Sequence, residues 1–402
     1  MMKKYWKAIA ILIVIVLSIG TYYIHSIVSA SQYPEFVIKK QSGDEKEIEG
    51  LNVSGSYQVG STYENLEITA DGSLYDGERS FFDRIQGTQL FIGQLRKEYR
   101  SFMRGKGFNP AAYFENEDFL AYGDVSYQIS SLRPRDYDFE ISILDKKSDK
   151  TTTFTLGVPN SGDINYIQVL DVQMVNDKLK VLTHNTLQDY NNSEFHVYEF
   201  NVDTNGLTDD DTIISAAGQS GTRKTYTDVS LLNETNVMNA HEYAILSKIE
   251  GEQVQLEDGT YTSKEKSNGL IAYNYKTGKK ETIKLPEKIQ GQEFHSFDGT
   301  SVYGVEMNQD GIVITPYNIK KQIIDEEISM QLSVSNDVKP SFEIRDGKLY
   351  ALQHLTNLKT TANLVVADLK SGETLYKGEI IKKDPAAGND EYELFLSNVV
   401  IQ

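Results

Sequence analysis

Apolar residues in this chain fall in short runs of about four to eight positions, separated by Gly, Asn and Asp. From Phe36 onward the runs are rich in Val, Ile, Tyr, Thr and Phe, which suit pleated, packed strands. Asp346-Gly347-Lys348-Leu349-Tyr350-Ala351-Leu352-Gln353-His354 is echoed by Asn176-Asp177-Lys178-Leu179-Lys180-Val181-Leu182-Thr183-His184. In both, a turn dipeptide leads into a strand that ends on histidine. A recurring segment of this kind predicts an array of similar small sheets.

The unit is clearest near the C-terminus. Phe342 to Arg345, Lys348 to Leu355, Asn363 to Leu369 and Glu373 to Ile380 read as four strands, with turns at Asp346-Gly347 and Lys370-Ser371-Gly372. Ile271 to Tyr275 and Lys279 to Leu285 repeat the last hairpin, with Tyr243 to Ser247 before them and a long polar loop from Ile249 to Ser267. Phe36 to Ile48 echoes the last hairpin again, and Leu66 to Tyr75 resembles Phe342 to Leu352. Second strands are expected near 119, 179, 243, 302 and 349, roughly fifty to sixty residues apart, the length of a four-stranded blade with one longer loop. Leu364-Val365-Val366-Ala367 is apolar on both faces, as a strand sandwiched between neighbouring sheets requires.

The hairpins at Val366-Ala367-Asp368-Leu369-Lys370-Ser371-Gly372-Glu373-Thr374-Leu375 and Ala272-Tyr273-Asn274-Tyr275-Lys276-Thr277-Gly278-Lys279-Lys280-Glu281 carry a resemblance. The chain resembles a β-propeller of the broad WD40 or quinoprotein-like type over most of 110–385, and more loosely over 34–80. The Trp-Asp, Gly-His and tryptophan-docking signatures are absent, the one tryptophan being Trp6. The resemblance therefore implies architecture: an all-β fold, a six- or seven-bladed β-propeller spanning 35–402, preceded by one N-terminal transmembrane helix.

That helix is expected from the first thirty residues. Lys3, Lys4 and Lys7 make a basic head over 1–7, and 8–30 is apolar or small apart from a few polar positions. About twenty such residues span a bilayer core, and the cationic end stays in the cytoplasm. Tyr22 and Tyr23 suit an interfacial aromatic belt. Val28-Ser29-Ala30 also fits a signal-peptidase site, in which case the protein is secreted. Residues 31–34 read as a linker. In either case the body is extracellular. The chain looks like the single-pass, cysteine-free ectodomain proteins of Gram-positive bacteria.

Composition narrows the chemistry. The chain has 402 residues, no cysteine and a formal charge of −18. Disulfides and thiolate chemistry are excluded, and an acidic surface disfavours nucleic acid. No phosphate loop, dinucleotide fingerprint, zinc helix motif or nucleophile elbow is present. Asp203, Asn205, Asp209 and Asp211 form an incomplete calcium-loop pattern around Gly206, which is also ordinary turn chemistry. Calcium is the one cofactor candidate. Paired carboxylates for glycoside chemistry are not selected by spacing among 58 acidic residues. His184 and His354 share a repeat position, where each is expected to top a strand with a hydrogen bond. The 25 tyrosines suit sheets, and a rim of them would suit glycan or peptide stacking.

One segment breaks the β pattern. Phe91, Ile92, Leu95, Tyr99 and Phe102 recur at helical spacing between 89 and 105, opposite Arg96, Lys97, Arg100 and Arg104. A helix covering the edge of the core is expected there, and docking to anionic lipid is the alternative. The expected function is a binding, scaffold or sensor module at the cell envelope, held to the cell membrane by its helix and engaging an envelope protein or glycan. Loops 249–267 and 185–194 are the first places to probe. The alternative is a polysaccharide hydrolase or lyase.

Overall fold

Both copies of the repeat begin on a two-residue turn in left-handed backbone. The φ angles are 51° and 61° at Asn176-Asp177, and 50° and 70° at Asp346-Gly347. Turns of this hand match the twist of paired strands, and Asn, Asp and Gly enter them at least cost. The computed structural model places each turn between two antiparallel strands. It describes residues 11, 13, 14, 33–79, 90–130, 133–218, 225–233, 240–256, 259–308, 311–331, 340–354, 362–384 and 392–401.

In chain order, β1 (Phe36–Gly43), β2 (Leu51–Val59), β3 (Thr62–Thr69) and β4 (Gly72–Tyr75) precede the helix α1 (Leu90–Glu98). Next come β5 (Tyr113–Glu115), β6 (Phe119–Ser130), β7 (Arg133–Asp145), β8 (Lys150–Gly157), β9 (Ile164–Val175), β10 (Lys178–Leu187), β11 (Asn192–Asn201) and β12 (Gly206–Ala217). They are followed by β13 (Thr225–Leu231), β14 (Tyr243–Gln255), β15 (Tyr261–Asn274), β16 (Lys280–Ile283), β17 (Glu293–Phe297), β18 (Ser301–Asn308), β19 (Gly311–Asn318), β20 (Ile323–Ile324) and β21 (Ile328–Gln331). The chain closes with β22 (Ser341–Arg345), β23 (Lys348–His354), β24 (Ala362–Asp368), β25 (Thr374–Lys382) and β26 (Glu393–Ile401). Among the described residues these strands make six antiparallel sheets of four or five strands, an all-β arrangement consistent with a β-propeller.

Two compact units divide the chain. One holds Met1–Gln89, Met307–Ile312 and Ile328–Gln402; the other holds Leu90–Glu306 and Val313–Glu327. In the first unit the two chain ends exchange partners. The sheet orders are β26-β2-β3-β4 and β1-β25-β24-β23-β22. The C-terminal strand thus completes the first sheet, and the N-terminal strand is added to the last. This corrects two expectations. Phe36–Gly43 does not begin a hairpin of its own but lies along Thr374–Lys382 as a fifth strand. Leu66–Tyr75 is β3–β4, the last hairpin of its sheet along the chain, whereas Phe342–Leu352 is β22–β23, the first hairpin of its sheet. The shared Asp-Gly dipeptide misled: Asp346-Gly347 forms the turn itself, whereas Gly72 is already paired with Thr69 and the turn residues are Ala70-Asp71. Tyr33 and Pro34, placed in the linker, are packed here: Tyr33 stacks on Tyr75 at 4.9 Å, and the Tyr75 hydroxyl donates to the Pro34 carbonyl at 2.7 Å.

In the second unit β5–β8, β9–β12 and β13–β16 form three four-stranded sheets, and β17–β20 run in order in a further one. Val172, Leu179, Val181, Phe139 and Phe200 are fully buried in one of its cores. Each such side chain contributes about 1.5–3 kcal/mol when taken out of water. α1 belongs to that same core. Ile92 and Leu95 are buried in it, with Phe102 and Met103 from the turns that follow. The expected helix over 89–105 is therefore shorter, ending at Glu98, and the chain continues as turns to Gly105 at φ 79°. Arg96 lies over the Phe108 ring at 3.9 Å, so part of the basic face packs on the helix's own unit.

The expected loop 249–267 is not a loop. β14 and β15 stay paired from Tyr243↔Asn274 out to Gln255↔Tyr261. Tyr261–Ser267 is exposed at every position, so both faces are wet and no apolar alternation marks the strand. Likewise β10 and β11 are paired through Thr186↔Ser193, leaving a short turn. The predicted anchor over 8–30 lies outside the described residues except Ile11, Ile13 and Val14. No described helix is long and apolar enough to cross a membrane.

Candidate functional site

A cleft of about 400 Å³ opens in the second unit between β9–β11 and β13. The two-residue turn at Asn176-Asp177 sets the register that makes it. His184 on β10 falls directly beside Gln168 on β9 and Phe195 on β11. Strand alternation then turns all three side chains to the same face. The imidazole stacks on Phe195, with ring centres 4.6 Å apart and planes at 21°. Burial lowers the His184 pKa below its ordinary value of 6.5, and Asp228 on β13 opposes that only in part. The ring is therefore neutral at pH 7.

His184 does not end its strand on a hydrogen bond, as the sequence led one to expect. Neither its ring nitrogens, nor the Gln168 amide, nor the Ser230 hydroxyl makes a hydrogen bond among the described residues. Two other amides in the cleft wall are fully used. Asn109 donates to the Val169 carbonyl at 3.2 Å and accepts from the Ala111 N–H at 3.1 Å. Asn233 donates to the Tyr243 carbonyl at 2.7 Å and accepts from the Ile245 N–H at 2.8 Å. Those two amides are thus taken up, while the half-buried His184 and the exposed Gln168 and Ser230 keep donors and acceptors open. No Asp, Glu, Lys or Arg lines the cleft among the described residues. That is notable in a chain carrying 40 basic and 58 acidic residues.

Further along β9 a buried network joins two sheets. The Asp171 carboxylate accepts from the Tyr275 hydroxyl at 2.8 Å and from the Gln173 amide at 3.0 Å, and lies 3.2 Å from His241 Nδ1. The Gln173 carbonyl oxygen in turn accepts from the His241 backbone N–H at 2.9 Å. Burial and the Asp171 charge push the Tyr275 hydroxyl well above its ordinary pKa.

Beside the cleft is a group of tyrosines drawn from four places in the chain. Tyr137 is buried, and its hydroxyl donates to the Asn165 carbonyl. Its ring lies 5.8 Å from Tyr127. Burial raises the Tyr137 pKa, and Tyr127, Tyr166 and Tyr190 raise it further by their charges. Those three are 46%, 47% and 57% exposed. Tyr166 is two residues from Gln168 on the same face of β9. Tyr190 sits in the β10–β11 turn at φ 59°, unusual for a bulky residue. Sequence reading missed this grouping, because no spacing joins residues on three strands and a turn.

The calcium candidates fall in a different setting. Asn201–Asn205 is one of five equivalent turns. Asp145, Asn201, Asn274, Asn318 and Asp368 each accept, through Oδ1, the backbone N–H three residues on, at 2.6–2.9 Å. The residue after that donor has positive φ in every case: Asp149, Asn205, Gly278, Gln322 and Gly372. Asn205 is therefore a turn residue, and Asp203 stands where Lys147, Lys276, Lys320 and Lys370 stand elsewhere. Asp209 and Asp211 are on β12, where Lys280 donates to Asp211 at 2.9 Å. Among the described residues no group of three or more His, Asp or Glu side chains is arranged to hold a metal ion.

Two further places carry polar chemistry. A groove of about 600 Å³ follows β15 beyond the end of β16 and is lined by Glu265, Lys266 and Lys284 among others. On β6–β7, Asp124 is paired in register with Glu140 and accepts from the Tyr122 hydroxyl at 2.9 Å. Burial raises the Asp124 pKa, with Glu140 adding to the rise.

No family model matches the chain, and no curated protein matches it. Among solved structures it is similar to an apocarotenoid oxygenase mutant of Synechocystis, at 11% identity and a TM-score of 0.35, over 72% of this chain and 64% of that one. It is also similar to the uncharacterized protein lmo1340 of Listeria monocytogenes, at 6% identity and 0.34, over 67% and 64%. A third is the polysaccharide lyase Uly1, at 13% identity and 0.31, over 68% and 57%. The chain spans less than two thirds of the length of each of these three. One is an oxygenase and another a lyase, and likeness at this distance assigns neither activity to this chain.

Proposed function

We propose that this chain is a membrane-anchored, extracytoplasmic β-propeller of six blades that acts as a binding module at the cell envelope, as scaffold or sensor. Its ligand sits in the cleft floored by His184. One observation carries the reading: a charge-free cleft whose wall amides are all bonded while Gln168, His184 and Ser230 keep free hydrogen-bonding groups. His184 is half-buried and Gln168 and Ser230 are exposed at its side, so a ligand entering this concave site would meet open donors and acceptors in place of water. The apolar 8–30 segment with its lysine head supports the anchor and its orientation.

A photo-crosslinking residue placed at Gln168 in the full chain, irradiated on intact cells, should give a defined adduct. The same probe carrying His184→Ala should lose it. Equal adduct from a probe at the exposed Ile323 would sink the site. Protease added to intact cells should digest the body and spare the head; the reverse would overturn the topology.

A second reading, hydrolysis or elimination on an envelope polysaccharide, has one observation in its favour. Asp124, held protonated more easily by burial, faces Glu140 with the Tyr122 hydroxyl attached. A raised carboxyl beside a second carboxylate is the arrangement acid–base chemistry uses. Turnover of wall polysaccharide by the purified protein, abolished by Asp124→Asn, would establish it. No turnover on a panel of such polymers would remove it.

A further inference from the structure

We infer that the cleft and the tyrosines beside it take an uncharged oligosaccharide chain. The inference rests on the cleft being the ligand site, and it names the ligand's class.

Three observations converge. The first is the aromatic surface. Tyr127, Tyr166 and Tyr190 are each about half exposed and gather around the buried Tyr137. Tyrosine rings give large, stiff contact area, and their faces stack on the C–H face of a pyranose while the hydroxyl stays wet.

The second is that the backbone carrying Tyr166 and Tyr190 is tied down before any ligand arrives. Tyr137 is tied to the Asn165 carbonyl, next to Tyr166. The turn bearing Tyr190 is pinned to the start of β9: Gln188 donates through its N–H to Asp163 at 2.9 Å and through its amide to Ile164 at 2.8 Å. Asp189 accepts the N–H groups of Asn191 and Asn192 at 3.0 and 2.9 Å. A tyrosine in left-handed backbone persists only where its surroundings impose it.

The third is the polar complement. From Tyr166 the same face of β9 leads to Gln168, and from there across the register to His184. An amide, a neutral imidazole and the Ser230 hydroxyl offer both donors and acceptors, which is what vicinal sugar hydroxyls need. With no cation in the cleft, and a chain of net charge −18, an anionic polymer meets repulsion and no charged partner.

The test uses the purified full chain with named probes: chitohexaose, cellohexaose and mannohexaose as neutral saccharides, hexagalacturonate as an anionic one, and an uncharged octapeptide. Binding is read by calorimetry. At least one neutral hexasaccharide should bind. Tyr166→Ala and Tyr190→Ala should each weaken it about tenfold, Tyr166→Phe should preserve it, and His184→Ala should weaken it as well. Thermal melts of each variant confirm that it is folded. Failure of all three neutral saccharides to bind overturns the inference, as does binding that Tyr166→Ala leaves unchanged. Octapeptide or hexagalacturonate bound instead, and lost in His184→Ala, overturns the ligand class while the cleft stands. Saccharide binding that His184→Ala leaves unchanged overturns the cleft as the ligand site.

Discussion

The His184 imidazole lies flat against Phe195, 4.6 Å away, and is held neutral by the burial that this contact provides. The consequence for stability has a definite sign. Its folded pKa is below the unfolded value of 6.5, so the unfolded chain binds the extra proton first. The stabilisation is complete above pH 6.5 and is lost as pH falls through the folded value. His196 behaves oppositely. Burial opposes its charge, but hydrogen bonds to Asp210 at 2.8 Å and Glu194 at 3.0 Å outweigh that and raise its pKa. Its contribution is complete below pH 6.5 and is lost as pH rises through the raised value. Melting temperature measured from pH 5 to 8 should therefore decline less on the acid side in His184→Phe, and less on the alkaline side in His196→Gln. Identical profiles in both variants would contradict these assignments.

Glu199 holds two lysines, and they are not equal. Lys180 is buried and 2.9 Å from the carboxylate, whereas Lys178 is 40% exposed. Burial works against the Glu199 charge, yet hydrogen bonds from Lys178, Lys180 and Thr208 bring its pKa down to about 2. Glu199→Gln strands a buried ammonium and should cost about 3–5 kcal/mol in urea unfolding. Lys178→Met should cost under about 1 kcal/mol, since an exposed pair is screened. In the wild type the Glu199 contribution is present above its ordinary value of 4.5 and lost as pH falls toward 2.

Much of the fold was legible because local chemistry repeats. The dipeptides at 176–177 and 346–347 marked the hairpins β9–β10 and β22–β23, and the turns ending at Gly278 and Gly372 marked β15–β16 and β24–β25. What stayed hidden depends on distant partners. Nothing near Phe36 announces that it will lie along Lys382, because a strand's partner is chosen by which sheet edge is open. The outer part of the β14–β15 hairpin reads as loop because both its faces are wet. Histidine at 184 was visible as a repeat position, but its free nitrogens follow from the cleft, which needs β13 opposite. The tyrosine group had one local signal, a bulky residue inside the Asp189-Tyr190-Asn191-Asn192 turn.

That signal gives a prediction in which stability and binding move in opposite directions. Tyr190 has φ 59°, a region that costs a side chain with a Cβ and that glycine enters freely. Exposed at 57%, the ring returns little burial energy for that strain. Tyr190→Gly should raise stability by about 0.5–1 kcal/mol, read by urea unfolding. The same variant should bind neutral hexasaccharide more weakly. A variant that loses stability would show the ring to be a structural support.

The Asp171 network makes the last prediction, and two substitutions separate its parts. Three groups converge on one buried carboxylate: the Tyr275 hydroxyl and the Gln173 amide donate to it, and His241 Nδ1 lies 3.2 Å away. Asp171→Ala removes the common acceptor and strands the donors away from water. An unsatisfied buried group costs about 1–3 kcal/mol, so the total should reach several kcal/mol. Tyr275→Phe removes one donor and leaves the carboxylate its other two partners, so the loss should stay near about 1 kcal/mol. Because Asp171 is on β9 and Tyr275 directly follows β15, the network ties the β9–β12 sheet to the β13–β16 sheet, the two that line the cleft. Amide exchange should accelerate in β13 and β14 of Asp171→Ala more than in β6 and β7. A uniform acceleration across the second unit would mean that the network serves general stability, and that the spacing of the cleft walls is set elsewhere.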